Sequence, residues 1–424
     1  MKKQYILFSL GLFVLFQTSC TKPVNLCSDE STPKAISNPQ VQNLPGAAKI
    51  SYTLPDNPNL LYVKAVWEYK GVSREAKSSL YDNSVLLEGF NDTLQHEVKL
   101  YAVSNCEKPS DAVNVSVQPQ QAPIWGVYNS LVVVPTWGGI NISYQNPTGA
   151  NIIVGVVVKD SLGSWQHVDF NYSKQTSNNF NIRGFTQNPN PPLKYYLFGV
   201  YVKDRWDNRT DTLVPNSNGS PPGLAPWYEE LVDKSKFRDV RPNNYPVPQV
   251  PPLPISGGPI VNAVDYSSSY PMTKLWDGNS TSSSMFHTKQ NVDQPVWIPF
   301  DMDQTGVTKY KLSRFKIWQR SQGSYPFNHG NPHKWEIWGT NNPSSAANWV
   351  KLGSYEMSKP SGLPVGVNSD EDNQVAINGQ EYDFPLNVPP VRYLAIKSID
   401  CWASIGGTYG FFHLYELSLW GQKQ

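Results

Sequence analysis

Thirty-six prolines scattered through 424 residues leave little room for long helices. Each proline removes a backbone donor and breaks a helix interior. Prolines at this frequency without a repeat suit loops and edge strands instead. The segments between them carry strand periodicity: Ala48–Leu54 and Leu60–Tyr69 alternate apolar and polar side chains, as half-buried strands do. Val85–Leu87, Glu97–Val103 and Ala112–Val117 continue the pattern, separated by the turn sequences PDNPN, YDN, FNDT and EKPSD. A string of short strands with turn signals between them and no helical stretch predicts a small antiparallel sandwich over 35–122.

The next segment repeats the first weakly. Lys49-Ile50-Ser51-Tyr52 recurs as Asn141-Ile142-Ser143-Tyr144, and Leu87-Glu88-Gly89-Phe90 recurs as Ile182-Arg183-Gly184-Phe185. Lys99–Val103 is echoed by Gly199–Val202. The order is kept while the offset drifts, as loop insertions would cause. A second sandwich is therefore expected over 123–215, both of the immunoglobulin/fibronectin III-like kind, and such tandem sandwiches commonly act as spacers. Residues 216–255 read as a boundary: the loop NSNGSPPG, a short helix over Trp227–Phe237, and the stiff proline linker RPNNYPVPQVPPLP. A strand-rich third domain is expected over 256–424.

The N-terminus has the layout of an export signal. Lys2 and Lys3 precede the apolar run Tyr5–Phe16, which is too short to cross a ~30 Å hydrocarbon core. Small residues Thr18 and Ser19 followed by Cys20 resemble a lipobox, which implies a signal peptide over 1–19, lipidation of Cys20 and a lipidated linker over 20–34. Ordinary cleavage near Ser19 is the alternative. No comparable apolar stretch follows, so the mature chain is expected to be soluble apart from its anchor. Cys27, Cys106 and Cys401 remain. A Cys27–Cys106 bridge is open to a chain in an oxidising compartment, since both flank the first domain, and Cys401 reads as free and buried.

Charge excludes some partners. Thirty-five basic against thirty-four acidic residues give a net charge of +1, so nothing points to nucleic acid. Aromatics are plentiful, with 14 Trp and 23 Tyr. Flat apolar faces with a polar edge suit sugar rings, although sandwich cores use aromatics too. The chain has no H-E-x-x-H, G-x-S-x-G, P-loop or dinucleotide fingerprint. His329 and His333 in FNHGNPH are spaced to hold a metal, and Asp370-Glu371-Asp372 could meet calcium; loop polarity explains both more simply.

The C-terminal third carries the more specific signals. Leu275-Trp276-Asp277-Gly278-Asn279-Ser280-Thr281 is followed by Phe286-His287-Thr288, Val296–Asp301, Arg314–Trp318, Trp335–Asn341, Arg392–Lys397 and Leu414–Gly421. This succession resembles the discoidin domain, also called the factor V/VIII C-type domain, and family 32 carbohydrate-binding modules. The resemblance implies an all-β chain of two tandem sandwiches followed by a discoidin-like β-sandwich jelly roll. The whole layout also resembles a group of Bacteroidetes lipoproteins encoded with glycan-uptake genes. Leu60–Ala65 and the turn Asn91-Asp92-Thr93 are similar to that group's first domain.

From these resemblances follow expectations about sites. Calcium, as a structural brace, would be held by Asp277, Asn279, Thr281 (or Ser282) and Glu416, an oxygen set that suits a hard cation. A glycan would meet the loop Gln319–Pro332 through Arg320, Tyr325, Phe327, His329 and Asn331. The late loop Cys401–Phe411 would add Trp402, Tyr409 and Phe411. The implied function is a non-catalytic, lipid-anchored glycan-binding protein on the outer face of the outer membrane, accessory to polysaccharide uptake and a partner of an outer-membrane glycan transporter complex. Two alternatives stand beside it: a protein-binding adhesion or complex subunit, and a glycan hydrolase or lyase using Glu336 or Asp301, which read more simply as outward-facing surface residues.

Overall fold

A computed structural model describes Cys27 and residues 31–241, 261–281, 284–343 and 348–424. The expected signal peptide, Cys20, Ser282 and the expected proline linker beyond Arg241 lie outside the described residues. The chain is all-β, built as sandwiches. It divides into two compact units: residues up to Val134 with Asn141–Asn181 and Tyr196–Leu224, and Pro135–Ile140 with Ile182–Tyr195 and Ala225–Gln424.

In the first unit, strands Ser37–Leu44, Ala47–Thr53 and Ser84–Glu88 form one sheet. Strands Val72–Ser79, Leu60–Tyr69, His96–Ser104 and Val113–Val117 form the other, in that spatial order. Alternation fixes which face is inside. Along Leu60–Tyr69, Val63, Ala65, Trp67 and Tyr69 are buried and their neighbours are not. They meet Ile50, Leu87 and Phe90 from the facing side of the sandwich and Leu100 from the neighbouring strand. Burying each such large apolar side chain contributes roughly 1.5–3 kcal/mol. The edge of the Phe90 ring packs 5.4 Å from Tyr69, and the Tyr69 hydroxyl accepts from the Asn91 amide at 2.7 Å. Cys27 is joined to Cys106 by a disulfide, closing a 79-residue separation, and Cys401 is free and buried.

The repeat in the sequence is a repeat of topology. Val132–Thr136, Gly139–Gln145 and Ser177–Arg183 take the places of the first three-stranded sheet. Trp165–Ser173, Ile152–Lys159 and Phe198–Lys203 take those of the second. A short helix over Pro123–Asn129, with Pro123 at its first turn, precedes them.

The second unit is a larger sandwich. One sheet orders Glu230–Leu231, Glu416–Lys423, Tyr310–Trp318 and Gln380–Asp383. The other orders Arg238–Asp239, Val296–Asp301, Tyr393–Cys401, Pro332–Thr340 and Val350–Glu356, with Val261–Asn262 beside Val296–Asp301. Phe315, Trp335, Ile337, Ile396, Leu417 and Leu419 fill the space between.

The helix expected over Trp227–Phe237 does not form. That segment runs extended, pairing Glu230 with Gly421 and Leu231 with Trp420 before a 3-10 turn over Lys234–Lys236 capped by Asp233. Extended geometry lets Val232 and Phe237 enter the core and satisfies a sheet edge, which an isolated helical turn could not do. Asp301, expected at the surface, is fully buried. Its carboxylate receives Arg392 at 2.6 and 2.9 Å and Arg238 at 3.0 Å. The acidic run Asp370-Glu371-Asp372 opens the helix Asp370–Asn378, where Ser369 and Asp372 make a reciprocal capping box.

Candidate functional site

The strand Tyr310–Trp318 ends in the loop 319–331, which returns as Pro332–Thr340. Asn331 organises this loop. Its side chain is fully buried; Oδ1 accepts from the Arg320 amide at 2.8 Å, and Nδ2 lies 2.8 Å from the Tyr325 carbonyl and 3.1 Å from both Gln319 Oε1 and the Arg320 carbonyl. All its capacity is used inside the protein, so Asn331 shapes the loop and is withdrawn from the residues that could meet a sugar hydroxyl. Phe327 and His329 both take left-handed backbone (φ 48° and 54°), which turns the chain twice in three residues.

That turn seats Phe327 in the core, edge to face with Trp402 at 5.5 Å. Trp402 is 9% exposed and also lies 4.9 Å from His333. It is chiefly a core side chain, which corrects the expectation of a stacking platform there. The two loops are joined by backbone: the Trp402 and Ala403 amides donate to the Asn331 and His329 carbonyls at 3.1 and 2.9 Å.

Outward from that join lie half-buried Arg320, Tyr325 and Phe411 and exposed His329 and Tyr409. The Arg320 guanidinium lies 3.3 Å from the centre of the Tyr325 ring, and the His329 ring is 4.6 Å from Tyr325 on that loop. His329 is exposed; partial burial and then the Arg320 cation hold its pKa below the usual histidine value. Tyr409 is 61% exposed, on a two-residue strand paired with Val292–Asp293. Phe411 stacks nearly parallel on His287 at 5.2 Å. It lies so close over Gly330 that a Cβ there would fall 2.3 Å from the ring, so glycine is what admits it.

Two histidines were not expected. His287 is buried beneath Phe411 with Tyr266 at 4.9 Å and Tyr270 at 6.0 Å. His413, fully buried, sits 5.3 Å from His287 and 5.7 Å from Phe411, with both ring nitrogens lacking a protein partner. Burial, then the neighbouring His287, Arg320 and His329, drives its pKa far below the usual value. His287 is lowered by burial and, more weakly, by Arg320 and His329. These imidazoles are therefore neutral at pH 7, and the His287 proton is spent at Nδ1 on the Thr288 carbonyl at 2.6 Å, which leaves Nε2 as an acceptor. A sequence signal existed: four of the six histidines, His287, His329, His333 and His413, fall in the C-terminal third.

His333 stands apart chemically. Its Nδ1 is 2.9 Å from Asp400 and its Nε2 3.3 Å from Glu356, and Asp400 also accepts the Lys334 and Gly406 amides. This is a local brace. The second enzymatic candidate, Glu336, is likewise committed, to Lys397 at 3.1 Å, Lys351 at 3.3 Å and Trp338 Nε1 at 3.0 Å.

The four residues expected at calcium do meet. Asp277 accepts the Asn279 amide at 3.0 Å, Asn279 accepts the Thr281 amide and hydroxyl at 3.0 and 2.6 Å, and buried Glu416 accepts the Gly278 amide at 3.1 Å. Each carboxylate also carries a lysine, Lys274 on Asp277 at 3.2 Å and Lys234 on Glu416. Burial raises the Glu416 pKa, opposed by Lys234. The oxygen chemistry fits calcium, while the positive charge in this geometry is supplied by ammonium. Among the described residues no group of three or more His, Cys, Asp or Glu is arranged to hold a metal.

Residues 33–119, 120–235 and 276–421 match three families, each described as a domain of unknown function (DUF4959, DUF5126 and DUF5000 respectively). No curated protein is significantly similar to the chain. Among solved structures, a "SusE-like protein" is 28% identical, covers 71% of this chain and 100% of its own, and superposes with a TM-score of 0.41. A two-domain fibronectin type III segment of chicken tenascin is 10% identical, covering 43% of this chain and 97% of its own at a TM-score of 0.21. Both superpositions are too loose to bear on the fold.

Proposed function

We propose that this chain is a non-catalytic glycan-binding protein whose recognition site is the loop end of the C-terminal sandwich. One observation carries the reading: Arg320, Tyr325 and His329 come together on one loop, and the paired rings of Phe411 and His287 with Tyr266 lie on the neighbouring segments. Aromatic faces with one cation and neutral imidazoles offer stacking surface and hydroxyl partners together. The carboxylates once considered for catalysis, Asp301 and Glu336, are held in ion pairs within the sheets. The discoidin-like resemblance in sequence supports the same placement of a sugar site. Screening residues 21–424 against a panel of plant, host and microbial glycans tests the reading. Binding that Arg320→Ala weakens supports it; turnover of any glycan refutes its non-catalytic half.

Cys20 is the proposed lipid attachment, anchoring the protein at the outer membrane, where a glycan transporter complex would be its partner. Among the described residues no helix is long and apolar enough to cross a membrane. Cys20→Ala should move the protein from the membrane to the soluble fraction, and an acylated, membrane-bound variant would refute the anchor. Calcium at Asp277 and Glu416 is proposed as a loop brace that displaces the two lysines.

A further inference from the structure

A second site lies in the C-terminal unit, away from the loop cluster in sequence and built from different elements. A cleft of about 310 Å³ is lined by Trp137, Trp227, Tyr228, Lys311, Pro189 and Leu193, among others. Its volume is at the small end of the ~300–1,000 Å³ typical of small-molecule sites. We propose that this cleft binds a carboxylate-bearing sugar residue, a uronic acid, through Trp227 and Lys311.

The walls are fixed before any ligand arrives. Trp137 and Trp227 pair through backbone, with the Trp227 amide on the Thr136 carbonyl at 2.8 Å and the Gly138 amide on the Trp227 carbonyl at 2.9 Å. Their rings meet edge to face at 5.3 Å. Gln187 braces the opposite wall: Nε2 donates to the Pro226 and Lys194 carbonyls at 2.9 and 3.0 Å, and Oε1 accepts the Lys194 and Asn188 amides at 2.7 and 2.8 Å. Asn188 Nδ2 is spent on the Pro192 carbonyl at 2.7 Å.

What remains without a counter-charge is a lysine. Trp137 is 4% exposed, and its Nε1 is buried without an acceptor. The Lys311 ammonium lies 5.7 and 5.8 Å from the Trp137 and Trp227 ring centres and has no ion-pair partner among the described residues. On the same strand Arg314 is paired with both Glu229 and Glu381. A cleft whose unpaired charge is a single ammonium selects an anionic ligand. The half-buried Trp227 and exposed Leu193 add apolar surface for the C–H face of a sugar ring. A uronic acid combines that face with a carboxylate in a volume this small.

The test titrates the full chain with trigalacturonate and with glucuronic acid, following tryptophan indole N–H shifts and heat, beside a neutral galactose trimer. Binding by at least one uronate is expected, weakened about fivefold or more in Lys311→Met and in 0.5 M salt, where an exposed charge pair is screened. Trp227→Phe, which keeps a ring, should retain a reduced signal, and Arg320→Ala at the loop site should leave uronate binding intact. Absence of binding by both uronates, equal affinity for the neutral trimer, or indifference to Lys311→Met overturns the proposal. Loss of uronate binding only in Arg320→Ala would assign the acid to the loop site and overturn it as well.

Discussion

Removing the Asn331 side chain isolates the part of the site that is architecture from the part that could touch a ligand. The amide nitrogen reaches three acceptors with two hydrogens, so it makes two bonds at a time, and Oδ1 accepts a third. At about 1 kcal/mol net each, Asn331→Ala forfeits about 3 kcal/mol, and the buried amide and carbonyls it leaves unpaired push the loss upward. For a unit of this size each kcal/mol moves the midpoint roughly 2–4 °C, so the melting transition of the C-terminal unit should fall by about 6–12 °C. The loop 319–331 should loosen with it, carrying Arg320, Tyr325 and His329 out of register. Differential scanning calorimetry reads the midpoint, and the amide shift of Arg320, whose N–H lies 2.8 Å from Oδ1, reads the loop. A midpoint within 2 °C of the parent would refute the reasoning that this buried amide holds the loop together. Asn331→Asp sharpens the result: it keeps the acceptor for the Arg320 amide but turns a buried carboxylate oxygen against the acceptors that Nδ2 now serves, so at neutral pH it should melt no higher than the alanine variant.

Trp402→Ala should melt early, by about 3–5 kcal/mol of lost stability, because it empties a core position, whereas Tyr409→Ala at a 61% exposed site should leave the midpoint nearly unchanged. An unchanged midpoint in Trp402→Ala would return that ring to the ligand-facing set. Acid sensitivity follows from three histidines, His287, His329 and His413, whose folded pKa values are depressed. Their unfolded values are about 6.5, so below that pH the unfolded chain binds protons the folded chain refuses, and stability present above pH 6.5 declines as pH falls towards the folded pKa values. The midpoint should drop between pH 7.5 and 5.5, and drop less in His413→Leu; a flat profile would contradict the burial of these rings. Millimolar calcium should raise the midpoint in the parent and not in Asp277→Ala, by linkage to the folded state, and no shift in the parent removes the metal.

The strands were legible where alternation was strong. Leu60–Tyr69 stands in the structure with the bounds its periodicity predicts, because its inward set is apolar and its outward set is not. Val72–Ser79 escaped notice: it is a sheet edge with no buried side chain, so burial imposed no pattern on it. The repeat was legible through its strands, and the structure extends it to a turn. Ser110 Oγ accepts the Ala102 amide and donates to the Asp111 carbonyl, and one hundred residues later Thr210 does the same with Val202 and Asp211. Trp227–Phe237 misled because its charged, short-range pattern mimics a helix while its partners, Trp420 and Gly421, lie far off in sequence. The site was half legible. Aromatics and histidines on a Gly/Pro loop flag Arg320, Tyr325 and His329, but no local pattern separates a ring that faces outward from one, like Trp402, that the fold turns in. His287 and His413 join the cluster only through pairing of Phe286–His287 with His413–Leu414, a long-range contact.

The central claim is that the loop end of the C-terminal sandwich recognises glycan without chemistry. The most direct measurement titrates the best glycan from the panel into residues 21–424 and into Arg320→Ala and Phe411→Ala, with melting curves for each and a product assay alongside. At a millimolar dissociation constant the whole binding free energy is about 4 kcal/mol, so losing one stacking ring worth ~1 kcal/mol removes much of the signal. The account predicts saturable binding by the parent, at least fivefold weaker binding by both variants with the Arg320→Ala midpoint near the parent's, and intact glycan at the end. Parent-like affinity in both variants, or cleaved glycan in the parent sample, would contradict it.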